Sequence, residues 1–243
     1  MMPRLLVVCL LLVFAHAQTL QIAAAANLSP ALPELVRAFE RTHPEVKVGV
    51  SYGASGQLVE QLRRGAPFQI FLSASPDYVR HLAESGVRVY AETPFARSPL
   101  VLYVPSRLGL TPAGFDVLAH PRVRRVVVAN PAYAPFGKAA LTALRRAGWY
   151  ARVEGKLIFA ANVSQAAQMT VQGADAGFLA LSSALHPTLR QRGAYWRVPA
   201  DLYPPLLQIV AQLDPSPEAL RFAGFLSSDE ARAILSRHGY ATP

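Results

Sequence analysis

Residues Leu20–Gly65 read LQIAAAANLSPALPELVRAFERTHPEVKVGVSYGASGQLVEQLRRG, and the pattern of this stretch decides the fold class. Leu20 to Ala24 is a short apolar run of the kind a buried strand makes. Leu32, Leu35, Val36 and Phe39 then recur at i, i+3, i+4 and i+7, the stripe of an amphipathic helix that Pro44 ends. Val46 to Tyr52 alternates as a second strand, Gly53-Ala54-Ser55-Gly56 turns the chain, and Leu58, Val59 and Leu62 mark a second helix stopped by Gly65. This succession predicts an α/β fold with mostly parallel sheets flanked by helices.

Downstream the alternation continues. Ile70 to Ser73 reads as a third strand, and Ser75-Pro76 supplies an N-cap and a first-turn proline for a helix that closes at Gly86. Thr93 to Val104, with Pro94 and Pro99, reads as a crossing to a second lobe. There the spacing predicts strands over Arg125–Ala129, Lys156–Phe159 and Ala176–Leu181 and helices over Pro135–Ala147 and Asn162–Gln172. A second proline-rich segment, Val198 to Pro205, precedes the strand Leu206–Leu213 and two terminal helices, Ser216–Leu226 and Ser228–His238. Two crossings predict two lobes joined by paired connections, with residues 18–97 and 201–243 in the first lobe and 98–200 in the second, able to open and close on a ligand.

The 243 residues are 52% hydrophobic and 16% charged, with one cysteine. Those values exclude a disordered chain and a disulfide scaffold. Arg4 and the apolar run Leu5 to Ala15, followed by the small residue Ala17, predict a secretory signal peptide over residues 1–17, because the run is too short to span a bilayer. Without Arg4 the chain keeps 23 Lys and Arg against 15 Asp and Glu, a net charge of +8. The clusters Arg63-Arg64, Arg122 with Arg124-Arg125, and Arg145-Arg146 do not alternate with aromatics, so no nucleic-acid platform is expected.

Catalytic motifs are sparse. There is no His-Glu-x-x-His, no cysteine pair for zinc, no phosphate loop and no dinucleotide fingerprint. Gly53-Ala54-Ser55-Gly56-Gln57 misses the hydrolase elbow Gly-x-Ser-x-Gly at its fifth position, so a serine hydrolase with His186 or His238 as base is the weaker alternative. What recurs is a strand ending in small or hydroxyl residues and running into a helix, at Ala25-Ala26-Asn27, Gly53-Ala54-Ser55, Ala134-Pro135-Phe136-Gly137 and Ala161-Asn162-Val163-Ser164. Each junction is an ordinary N-cap taken alone. Four facing one cleft would direct free N–H groups and helix dipoles at an anion.

These junctions, with Gly65-Ala66-Pro67-Phe68-Gln69-Ile70-Phe71-Leu72-Ser73-Ala74, Ala129-Asn130-Pro131, Gly177-Phe178-Leu179-Ala180-Leu181-Ser182 and the end from Phe225 to Tyr240, resemble the periplasmic molybdate-binding proteins of molybdate ABC transporters, type II solute-binding proteins. The resemblance covers nearly all of the chain after residue 17. It implies a two-lobed fold with a ligand cleft between the lobes, a periplasmic location, no cofactor and no catalysis, and a monomer that captures molybdate or tungstate for a membrane permease.

Site residues follow from it one at a time. Asn27 would donate its backbone N–H and side-chain amide, Ser55 its hydroxyl and N–H, and Phe136 and Val163 their backbone N–H groups. Three positions depart from the family pattern: Ala26 and Ala180 replace a Thr and a Tyr found in some members, and Gln69 replaces a common Asp. A donor-only site suits a fully deprotonated dianion, whose oxygens only accept hydrogen bonds. Sulfate or another oxyanion is the alternative ligand within transport.

Overall fold

The computed structural model describes residues 18–243, so the expected signal peptide lies outside the described residues. The strands are β1 (Gln18–Ala25), β2 (Val46–Gly53), β3 (Ile70–Ser73), β4 (Ala91–Arg97), β5 (Leu100–Pro105), β6 (Val126–Ala129), β7 (Leu157–Ala160), β8 (Ala176–Ala180), β9 (Gly193–Arg197) and β10 (Leu207–Gln212). The helices are α1 (Leu32–Thr42), α2 (Ser55–Arg63), α3 (Pro76–Glu84), α4 (Pro135–Arg146), α5 (Tyr150–Val153), α6 (Val163–Gln172), α7 (Leu181–Leu185), α8 (Pro187–Arg190), α9 (Pro217–Phe225) and α10 (Asp229–Arg237).

Two five-stranded sheets result, in the orders β2-β1-β3-β10-β4 and β7-β6-β8-β5-β9. Within each, two pairings are parallel and two antiparallel. The sheets are therefore mixed, where the local alternation pointed to mostly parallel ones. The cause is topological. Four strands of each sheet share a direction, and the reversed one is the strand that brings the chain in from the other lobe, β5 in the second and β10 in the first. Each sits inside its sheet, so it makes two antiparallel pairings.

Of the four edge strands, β2, β4, β7 and β9, two give little signal in the sequence, β4 and β9. β4 carries Pro94 and is exposed over its first four residues, and proline is tolerated where one side of a strand has no partner. Apolar layers cover both faces of each sheet. Leu20, Ile22, Leu35, Phe39 and Phe222 lie in one first-lobe layer and Leu58, Phe71 and Leu82 in the other. In the second lobe Leu102, Val128 and Phe178 face one layer and Tyr103, Val127 and Leu179 the other.

Register positions the functional end of each sheet. Ala25 pairs with Gly53 across β1 and β2, and Ala129 pairs with Ala160 across β6 and β7. Neighbouring strands thus finish level, and the turns that follow them emerge side by side at the carboxyl edge, where α/β sheets bind ligands.

Candidate functional site

Between the lobes lies a small space lined by Ala25, Ala26, Asn27, Gly53, Ala54, Ser55, Ala74, Ala134, Pro135, Phe136, Asn162 and Val163. The structure brings together all four residues singled out in the sequence, two from each lobe. No charged side chain is in the lining. The cavity volume is about 10 Å³, room for about one water-sized group, far below the ~300 Å³ at which pockets for organic ligands begin.

Each residue arrives by a different local device. Asn27 lies in a single 3-10 turn, Ala26–Leu28, directly after β1. Ser55 opens α2, where Gln57 Oε1 accepts from the Ala54 N–H at 3.4 Å. Pro135 takes the first position of α4 and Phe136 the second. Asn162 caps α6 by accepting from the Gln165 N–H at 2.9 Å, which leaves Val163 at the first helical position. First-turn amides have no acceptor within their own helix, and among the described residues no protein acceptor takes the N–H of Asn27, Ser55, Phe136 or Val163.

Side chains differ more. The Ser55 oxygen accepts from the Ala74 N–H at 3.2 Å, which leaves its own hydrogen to donate. The Asn27 amide does not behave as the resemblance implied. Gln208 Nε2 donates to the Leu206 carbonyl at 3.0 Å, so Gln208 Oε1 is left to accept, and it takes the Asn27 Nδ2 at 2.9 Å. A second contact joins Asn27 Nδ2 to the Tyr240 oxygen at 3.3 Å. The amide donor is thereby committed inside the protein, and Asn27 Oδ1 is buried without a hydrogen-bond partner. Only the backbone N–H of Asn27 remains free to donate.

Sequence reasoning missed this supporting network. The Asn27 carbonyl accepts from Tyr240 Oη at 2.6 Å and from Ser182 Oγ at 2.9 Å. Complete burial pushes the Tyr240 hydroxyl well above the ordinary tyrosine range, so it stays a neutral donor. Tyr240 is held there by α10, which docks on α1 where Glu34 meets Arg237 at 2.6 Å and His238 at 2.9 Å. Those hydrogen bonds, to His238 and then Arg237, hold the Glu34 carboxyl below its usual range.

Two small residues set the second-lobe wall and the gap between the lobes. A Cβ on Gly137 would lie 2.0 Å from the Ala129 carbonyl oxygen, so only glycine lets α4 start this close to the end of β6. A Cβ on Gly56 would meet Tyr133 Cα and O at 3.0 Å, and the Gly56 N–H donates to the Tyr133 carbonyl at 2.9 Å across the lobes. Around the space, Ala25, Ala26, Ala54 and Ala74 of the first lobe join Phe136 and Val163 of the second in one apolar cluster that seals it.

Neither histidine of the hydrolase alternative lies at Ser55. Among the described residues no histidine hydrogen-bonds Ser55: His238 is bound to Glu34, and His186 lines a separate outer groove. Nor do three His, Cys, Asp or Glu side chains converge on a metal-sized site among the described residues.

Two α/β lobes closed over a small uncharged space, with unclaimed backbone donors from both, define a solute-binding protein by architecture. Residues 20–241 match the family of bacterial extracellular solute-binding proteins, and the chain belongs to that family. Its relatives include the molybdate-binding protein ModA of Azotobacter vinelandii, 31% identical over 231 residues that cover 93% of this chain and 91% of that one. The ModA of Rhodobacter capsulatus is 32% identical, over 90% of this chain and 87% of its own. The solved structure of the Azotobacter vinelandii periplasmic molybdate-binding protein matches with a TM-score of 0.84 at 29% identity, covering 92% of this chain and 99% of that one.

Proposed function

We propose that this protein captures molybdate, and tungstate with it, in the periplasm and delivers the anion to the membrane permease of an ABC importer. It acts as a monomer and carries out no reaction. The observation that carries this reading is the uncharged lining with unclaimed donors: free N–H groups of Asn27, Ser55, Phe136 and Val163 and the Ser55 hydroxyl gather around one small space between the lobes. The names of relatives at 31% and 32% identity, aligned over at least 90% of this chain, support the choice of anion.

The chemistry is complementary. A deprotonated tetrahedral dianion offers only acceptors, and fixed neutral donors avoid desolvating a buried lysine or arginine. Phosphate keeps a proton near neutral pH and would meet no carboxylate acceptor in the lining, and sulfate is smaller. Closure supplies the mechanical step, because only the closed form gives the anion donors from both lobes.

Thermal unfolding of the chain without residues 1–17, in the presence of each anion in turn, tests the reading, since a ligand that binds only the native state raises stability by RT ln(1 + [L]/Kd). Molybdate and tungstate raise the unfolding temperature and sulfate and phosphate do not. A shift with sulfate or phosphate alone replaces the ligand, and no shift with any of them removes the carrier reading.

A further inference from the structure

Ser164 follows Val163 in the first turn of α6, on the second lobe, and its hydroxyl crosses the cleft to donate to the Ala26 carbonyl at 2.7 Å. Ser29 Oγ stands 3.1 Å from Ser164 Oγ. A hydroxyl has one hydrogen, and that of Ser164 is engaged by Ala26, so the hydrogen between the two serines comes from Ser29. The result is a one-way chain from Ser29 to Ser164 to the Ala26 carbonyl. Consecutive hydrogen bonds of this kind polarise one another. The Ala26 carbonyl also accepts from the Ser29 N–H at 3.1 Å, and it belongs to the same peptide group as the Asn27 N–H.

We propose that Ser164 is a latch and positioning residue: closure forms its bond to Ala26, and that bond fixes and polarises the peptide whose N–H, at Asn27, faces the bound oxyanion. The inference rests on the oxyanion-carrier reading. Its geometry is specific to the closed form, because donor and acceptor belong to different lobes. Two further contacts to backbone cross the cleft between the lobes: Ser182 Oγ donates to the Asn27 carbonyl at 2.9 Å, and the Gly56 N–H, next to Ser55, donates to the Tyr133 carbonyl. Each crossing bond is therefore adjacent to a first-lobe donor, so ligand capture and closure reinforce each other. Both Ser29 and Ser164 are half-buried along an outer groove, where water can replace their bonds when the lobes part.

Stopped-flow and calorimetric titration with molybdate test the latch in the parent, Ser164→Ala, Ser164→Thr and Ser29→Ala. Ser164→Ala raises the dissociation rate about three- to tenfold, the equivalent of one lost hydrogen bond, with the association rate and the unfolding temperature of the ligand-free protein unchanged. Ser164→Thr keeps the hydroxyl and restores slow dissociation, while Ser29→Ala gives a smaller increase. Parental dissociation in Ser164→Ala, or a loss that threonine does not reverse, overturns the latch alone. A parent that binds no oxyanion overturns the carrier reading and the latch together.

Discussion

On the first lobe the cleft is edged by Asn27 and Ser55, whose side chains are tied to Gln208, Tyr240 and Ala74. On the second it is edged by Phe136 and Val163, which are buried in an apolar cluster and have only backbone N–H groups to offer. The first half relies on which polar atoms are present, the second on where the backbone runs. Side-chain chemistry should therefore control affinity on one side and helix placement on the other.

The largest expected effect is on the second side. Gly137→Ala adds a Cβ 2.0 Å from the Ala129 carbonyl oxygen, pushes α4 off β6, lowers stability by about 3 kcal/mol and displaces the Phe136 N–H. Chemical denaturation and calorimetry both detect it, and a parental unfolding midpoint would show that α4 is free to shift. Next comes Ser55→Ala, which removes a hydroxyl from a buried anion and weakens molybdate binding by about 2 kcal/mol; an unchanged Kd would remove Ser55 from the site. Tyr240→Phe deletes one of the two hydroxyl donors to the Asn27 carbonyl without touching the cleft. It weakens binding by about 1 kcal/mol, and no change would reduce the network to a structural role. Smallest is Phe136→Leu, which keeps the N–H and shifts affinity by less than about 0.5 kcal/mol, whereas a large loss would give the ring a direct part in holding the anion.

The same contrast explains what the sequence made legible. Buried strands such as β3, with four consecutive buried residues, and helices with a clear cap, such as α3 after Ser75, stand out because period and punctuation are local. The edge strands β4 and β9 do not: β4 is exposed over its first four residues and carries Pro94, and β9 has no fully buried residue, so neither shows a buried apolar run. The four small-residue junctions were visible, although only three open an α-helix, at α2, α4 and α6, and the one at Asn27 is a 3-10 turn. The partners of Asn27 were not: Gln208 and Tyr240 lie 181 and 213 residues away, and nothing in local spacing ties them to it. The resemblance implied the Asn27 amide as a ligand donor, and the distant Gln208 engages it instead. Gly137 was visible as part of a motif, but its reason, the approach of the Ala129 carbonyl, exists only in three dimensions.

The central claim is that neutral donors from both lobes hold a dianion without any titrating group. Calorimetric titration with molybdate from about pH 6 to about pH 9 tests it most directly, because an ordinary histidine would change charge within that window. The account predicts one site per chain and an affinity flat across the range. Absence of binding, or a fall in affinity that follows a single ionisation, would contradict it.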